Sequence, residues 1–278
     1  MEMLIFGTAG VPHSSASGDS VAGIERVRKL GLDAMELEFV RGVHMKEDTA
    51  KKVKAAAEKN NVLLRVHAPY FINLNSAEKS KLHASIERIW QSAKIGDAAG
   101  ARIVTFHPAY FQGTEPKKVM ENVETALDGL LERIKEKKLK IVLAPETTGK
   151  PSQFGSLSET LELCKRMKGK IMTMVDFSHL HARENGRFKE KKDFEKALEE
   201  IKSANRAHLK ELHMHVSGIR FSEKGERNHL NLQDKENTFN YKWLLETLKE
   251  FGVKGVVICE SPNLEGDALL MQKYYEKL

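Results

Sequence analysis

Histidines and carboxylates recur at the ends of strand-like apolar runs in this chain. His67 closes Arg-Val-His before Ala-Pro-Tyr, His107 closes Val-Thr-Phe-His, Glu146 follows Leu-Ala-Pro, and Asp176 closes Met-Val-Asp with His179 three residues on. His213 and His215 end Leu-His-Met-His, His229 lies in the segment that follows, and Glu260 ends Val-Ile-Cys-Glu. Any one of these alone is an ordinary hydrogen-bonded residue at the start of a loop. Six successive strand ends bearing an imidazole or a carboxylate are not explained that way. Clustered without cations, three carboxylates would repel one another and retain protons, and bound metal removes that conflict. A mixed imidazole and carboxylate set without thiolates suits Zn²⁺, Mn²⁺ or Fe²⁺. The donors outnumber what one tetrahedral ion needs, so at least two ions sharing a bridging carboxylate are expected. His213 and His215 are two apart and share a strand face; spacing leaves open which of them is the ligand. His181 is an alternative to His179.

The elements that must position these groups follow from periodicity. The pattern predicts strands at 4–7, 34–39, 62–66, 103–106, 140–144, 171–175, 209–214 and 255–259. Between and after them it predicts helices at 21–30, 46–59, 76–99, 116–137, 157–167, 194–203, 241–251 and 267–277. Strict alternation implies parallel strands with helical crossovers. Eight such units in 278 residues match the size of an α/β protein with one (β/α)₈ TIM barrel, forming a single domain over 1–278. All the strand ends named above would then lie on one rim, the face on which such barrels carry chemistry. A doubly wound open sheet is the competing arrangement, but Gly7-Thr-Ala-Gly10 lacks the third glycine of a dinucleotide fingerprint. The stretch 217–240 is long for a structureless connection, which marks it as functional.

Composition narrows the class. A hydrophobic share of 41% and a charged share of 30% describe a soluble protein with a full core. Two cysteines, Cys164 and Cys259, argue against a disulfide framework and a thiolate metal site. No run resembles a secretory signal or a membrane span, so the cytoplasm is the expected compartment. A net charge of +6 permits a phosphate-rich partner without requiring one.

Several segments together carry a family resemblance: His67-Ala-Pro-Tyr-Phe-Ile-Asn-Leu, Phe106-His-Pro, Pro145-Glu-Thr-Thr-Gly, Val175-Asp-Phe-Ser-His, His213-Met-His-Val-Ser and Glu260-Ser-Pro. The sequence resembles, nearly end to end, the endonuclease IV family of the xylose-isomerase-like barrels. The resemblance implies metal-dependent hydrolysis of the DNA phosphodiester 5′ to an abasic site, with a cluster of about three zinc ions. Carried over by motif, His67, His107 and Glu146 would hold the first ion. Glu146, Asp176, His213 and Glu260 would hold the second, and His179 and His229 the third. Glu146 as the bridging ligand and Glu260 as a proton acceptor would be the catalytic residues. Tyr70 matches the family's tyrosine that enters DNA at the lesion, and Arg41 falls where the family inserts basic side chains. Double-stranded DNA with abasic sites is thus the implied partner, and a monomer is expected.

Two departures from the family pattern matter. His213-Met-His215-Val-Ser stands where the family reads His-Leu-Asn-Asp-Ser, which puts His213 at the ligand position and His215 in place of an asparagine, beside the metal or as an alternative ligand. Glu226-Arg-Asn-His229 stands where the family reads Asp-Arg-His. Glu226 is the nearest acid and the expected third-metal carboxylate, which frees Arg227 to contact phosphate. The alternative is a sugar isomerase or epimerase on the same barrel, which needs fewer imidazoles than this chain carries.

Overall fold

The computed structural model describes residues 3–278. Eight parallel strands build the barrel: β1 (Leu4–Ala9), β2 (Ala34–Glu38), β3 (Leu63–His67), β4 (Ile103–Phe106), β5 (Val142–Pro145), β6 (Met174–Asp176), β7 (Leu212–Val216) and β8 (Gly255–Cys259). Their order around the sheet is β5-β4-β3-β2-β1-β8-β7-β6. A parallel bridge between Glu146 and Met174 joins the two outer strands and closes the ring. The Thr147 side chain reinforces this seam, accepting from the Asp176 amide at 2.8 Å and donating to the Asp176 carbonyl at 3.1 Å. Glu146 and Asp176 therefore come together where the barrel closes.

Side-chain alternation does the rest of the positioning. Outward residues such as Met35, Leu37, Val66, Leu143, Val175, Met214 and Val257 form the main core with the surrounding helices. Inward residues end on the rim with His67, Glu146, Asp176, His215 and Glu260. Among the described residues the helices are α1 (Ser20–Lys29), α2 (Glu47–Asn60), α3 (Lys79–Ala98), α4 (Pro116–Glu136), α5 (Leu157–Arg166), α6 (Phe177–Arg183), α7 (Lys191–Ala204), α8 (Tyr241–Glu250) and α9 (Glu265–Lys277). Their starts are encoded locally: Asp19 caps α1 through the amides of Val21 and Ala22, and Ser156 with Glu159 forms a capping box on α5. Among the described residues no helix is long and apolar enough to cross a membrane.

Three local features depart from the periodic reading. The sixth strand starts at Met174 and not at 171, because regular pairing with β7 begins only at Met174↔His213. His179 does not lie in a loop: Asp176 accepts the His179 amide at 2.7 Å and caps α6, an additional short helix. The long stretch after β7 is not structureless. It folds into an antiparallel hairpin of Gly218–Ser222 and Gly225–Leu230.

Candidate metal centre

Glu146 is the hub of the rim. Its carboxylate is fully buried, with Oε2 3.1 Å from His67 Nε2 and 3.5 Å from His107 Nε2. Oε1 lies 3.2 Å from His179 Nδ1 and 3.5 Å from His215 Nδ1. Asp176 Oδ2 is 3.3 Å from His179 Nδ1, and Glu260 Oε1 is 3.3 Å from His215 Nδ1. Outside the ring, Glu226 on the hairpin faces His179 Nε2 at 3.6 Å and His229 Nε2 at 3.7 Å.

These residues form three adjoining groups with donor atoms close enough to hold an ion each. They are His67, His107 and Glu146; Glu146, Asp176, His179 and Glu260; and His179, Glu226 and His229. Neighbouring groups share Glu146 or His179. The imidazoles are also oriented from behind. His67 Nδ1 is 2.7 Å from the Ala68 carbonyl, His179 Nδ1 is 3.0 Å from the Thr147 carbonyl, and His229 Nδ1 is 3.1 Å from the Glu260 carbonyl. A carbonyl only accepts, so each Nδ1 carries a proton and each Nε2 is the atom left to face the cluster; for His179 that atom points at Glu226, which directs this ring to the hairpin group and leaves the place beside Glu146 and Glu260 to His215 Nδ1. His215 is turned the other way: Nε2 meets Glu36 Oε1 at 2.7 Å, and Nδ1 faces the cluster.

The donor set fits a divalent cation. Glu146 Oε1, Asp176 Oδ2, Glu260 Oε2 and His215 Nδ1 are buried atoms without hydrogen-bond partners, and buried polar atoms are rarely left so. In the protein alone, protons stand in for the missing positive charge. Burial pushes the His67 imidazole down, but the hydrogen bond and charge of Glu146 outweigh it and hold the ring up at about 10. Burial raises Asp176 to about 6, with His179 opposing and Glu260 and Glu146 adding to the rise. Burial would also raise Glu146, yet His107, His215 and His179 hold it well below the usual carboxylate range.

The structure brings together His67, His107, Glu146, Asp176, His179, Glu226, His229 and Glu260. It does not bring His213 with them. His213 lies one inward position deeper, its Nε2 3.3 Å from Glu36 Oε2, and His215 occupies the rim in its place. Two residues per strand step makes the rim residue the later of the pair, and the Asp176↔His215 register puts it level with the acid. His181 faces away, its Nε2 on Thr238 and its Nδ1 accepting the Phe188 amide. Arg41 and Arg227 are exposed and do not reach the cluster; Arg227 Nε donates to Ser222 at 3.1 Å. Tyr70 is 54% exposed at the rim with its ring 6.1 Å from that of His67, and Phe71 beside it is 66% exposed.

Two acids escaped the strand-end pattern, Glu36 and Glu38 of β2. Their signal was present: two carboxylates alternating on one face of an otherwise apolar strand, Ala-Met-Glu-Leu-Glu-Phe, place both inside the barrel. Glu38 stands in register with His67, and burial together with the Glu36 charge pushes it up to about 8.

The family described as xylose isomerase-like TIM barrel matches residues 24–277. An uncharacterized protein of Methanocaldococcus jannaschii is 43% identical over 277 residues, covering 99% of this chain and 98% of its own. A protein described as "probable endonuclease 4" from Aquifex aeolicus is 26% identical over 190 residues, 65% of this chain and 64% of its own. Among solved structures, endonuclease IV from Thermus thermophilus superposes with a TM-score of 0.71 at 16% identity, over 98% of this chain and 100% of that one. A D-tagatose 3-epimerase-like protein superposes with a TM-score of 0.73 at 18% identity, over 97% and 96%. The fold is thus shared by an endonuclease IV and an epimerase-like protein alike, so the fold does not choose a function and the site must.

Proposed function

We propose, from the premise that this chain belongs to the xylose isomerase-like TIM-barrel family, that it is a metal-dependent endonuclease that hydrolyses DNA on the 5′ side of an abasic site. The observation that carries this reading is the chain of three adjoining donor groups. The Glu146, Asp176, His215 and Glu260 set alone would serve a sugar isomerase or epimerase. Such an enzyme would leave His67, His107, His179, Glu226 and His229 as buried or half-buried ionisable groups without a task, at a cost in stability. Zinc, manganese or iron(II) held by these groups would activate water and neutralise charge on a phosphodiester, as multi-metal hydrolases do.

The chain's own residues supply the remainder. Glu146 presents one oxygen to His67 and His107 and the other to His179 and His215, so it ties two donor groups to one rigid strand end. Glu260 Oε2 has no partner and is the atom available to take a proton from the attacking water. Tyr70 and Phe71 stand exposed beside the cluster, where a ring can enter the gap left by a missing base; such stacking contributes about 1–3 kcal/mol. Arg227, exposed on the hairpin strand, and Arg41, exposed in the turn after β2, are placed to meet phosphates.

A nicking assay on depurinated supercoiled plasmid tests this directly. The metal-loaded protein is expected to nick depurinated plasmid, spare the intact form and leave 3′ hydroxyl ends that a polymerase extends. Intact depurinated plasmid, or a borohydride-trapped covalent adduct, would reject it.

A further inference from the structure

The interior of a parallel barrel is ordinarily filled by branched apolar side chains. Here that filling is split. Ala34, Val256 and Ile258 form one small cluster, and Ile103, Ala144 and Met174 form another. The remaining inward positions below the rim include Glu36, Arg65, Thr105 and His213, all buried. Glu36 and Arg65 are direct cross-strand neighbours in the β2–β3 register, and Glu36 reaches across the ring to both histidines of β7. Ionic groups in a dry core are costly unless paired, so this column has to be explained by what it supports.

Glu36, His213 and His215 could in principle hold an ion of their own. Arg65 argues against it. The residue is 1% exposed, is the register partner of Glu36 on the next strand, and brings a positive charge into the same dry interior, which a second cation there would have to oppose. The contact between Glu36 and His215 points elsewhere. Oε1 and Nε2 are 2.7 Å apart with both side chains fully buried. The His215 ring is flanked by His213 at 5.4 Å, nearly perpendicular, and by His67 at 5.9 Å, nearly parallel. A carboxylate accepts, so Nε2 carries a proton and Nδ1 is the ring atom left to face Glu146 and Glu260.

We propose that Glu36 is a positioning residue: it fixes the tautomer and ring orientation of His215 so that Nδ1 is offered to a metal at the rim. Glu36 reaches His213 with its other oxygen at 3.3 Å, and His213 walls the His215 ring from the side. The role rests on the reading of the rim as a metal centre. It gives the polar column a task, because outer groups that orient a metal-binding imidazole are worth 10–100-fold in affinity on the order of magnitude seen elsewhere.

Cobalt(II) is the probe. The whole protein, stripped and reloaded with cobalt, is compared with Glu36→Leu and Glu36→Gln by elemental analysis, chelator competition and visible absorption. Leu fills a similar volume with no acceptor; Gln keeps a carbonyl oxygen that can still accept Nε2–H. The expected result is that Glu36→Leu weakens one cobalt by roughly 10–100-fold and changes its absorption, while the other ions keep wild-type affinity and Glu36→Gln restores most of the loss. Wild-type affinity and spectrum in Glu36→Leu would overturn the positioning role, as would a Gln variant as impaired as Leu. If Glu36→Leu does not fold, Glu36→Asp replaces it: the retracted acceptor is expected to weaken the same ion, and unchanged affinity overturns the role. Wild-type protein that binds no cobalt would instead reject the metal centre on which the proposal rests.

Discussion

The Glu146 hub and the Glu226 group reach the same kind of arrangement by different routes. Glu146, Asp176, His67, His215 and Glu260 stand at or just past strand ends, and the barrel register alone fixes their relative heights. Glu226 and His229 stand on a hairpin outside the ring. There the register shifts between Arg220 and Phe221: Arg220 pairs with Asn228 and Phe221 with Glu226, which leaves Arg227 unpaired as a bulge. A bulge inserts one residue and re-aims its neighbours. It absorbs the additional residue of Glu226-Arg-Asn-His229, so that both Glu226 and His229 turn toward His179. Backbone contact completes the docking. The Glu226 amide donates to the Gly149 carbonyl at 2.9 Å, and a Cβ on Gly149 would come within 2.7 Å of Glu226 Cβ. Positions set by the barrel tolerate little change in sequence spacing, whereas positions set by a hairpin tolerate an insertion if local geometry compensates.

The largest effect expected from this contrast falls on the hub. Glu146→Gln should lower metal content at two donor groups and reduce incision by well over about a hundredfold, since ligand loss exceeds the 10–100-fold typical of outer-group changes. His67→Ala, which serves one group, should lose less. Equal metal content and equal residual rates in the two variants would break the claim that Glu146 bridges.

On the hairpin the loss should be confined to one ion. Glu226→Ala is expected to remove one metal and slow incision by less than Glu146→Gln does, because only one donor group is touched, leaving the barrel's unfolding temperature within a few degrees of wild type. Gly149→Ala should reproduce that phenotype by displacing Glu226. Full metal content in both variants would show that the third group takes its carboxylate elsewhere.

How much of this could be read in advance differs between the two regions for the same reason. Apolar period and strand-end chemistry disclosed the eight units and most of the residues gathered around Glu146, because in a barrel sequence order maps directly onto rim order. The choice between His213 and His215 was not legible: both share a face, and only the register with Asp176 sets which is level with the acids. The hairpin over 218–230 was hidden because its strands are polar, with exposed Arg220, Arg227 and Asn228, and lack the alternation that marks a half-buried strand. Glu36 and Glu38 lie within β2 and not past its end, so a strand-end pattern passes over them although their alternation places both inside the barrel.

A smaller effect concerns stability without metal. His67, held up at about 10, and His179 and His215, also raised, keep protons in the folded chain that the unfolded chain sheds near 6.5. Their stabilisation is full below 6.5 and is lost as pH rises, that of His67 as pH approaches 10, and Glu38, raised to about 8, acts in the same direction. His213 and His181, lowered to about 4, act in the opposite direction but only between 4 and 6.5. The unfolding temperature of chelated protein should therefore fall steadily from pH 6.5 to 10, and metal loading should flatten the decline. A chelated protein whose stability rises over that range would contradict the assignment of protons as stand-ins for cations.

The smallest expected effect is at the exposed rim. Tyr70→Ala should leave metal content and stability unchanged while affinity for abasic duplex falls toward that for intact duplex, by an amount matching about 1–3 kcal/mol of stacking. Unchanged preference for the lesion would remove Tyr70 from the interface.

The central claim is that three donor groups act together, and metal stoichiometry tests it most directly. Elemental analysis of protein purified without chelator, and again after reloading with zinc, is predicted to find about three ions per chain, falling to two in Glu226→Ala. One ion per chain, unchanged in Glu226→Ala, would fit the Glu146, Asp176, His215 and Glu260 set of a sugar isomerase and would contradict the account.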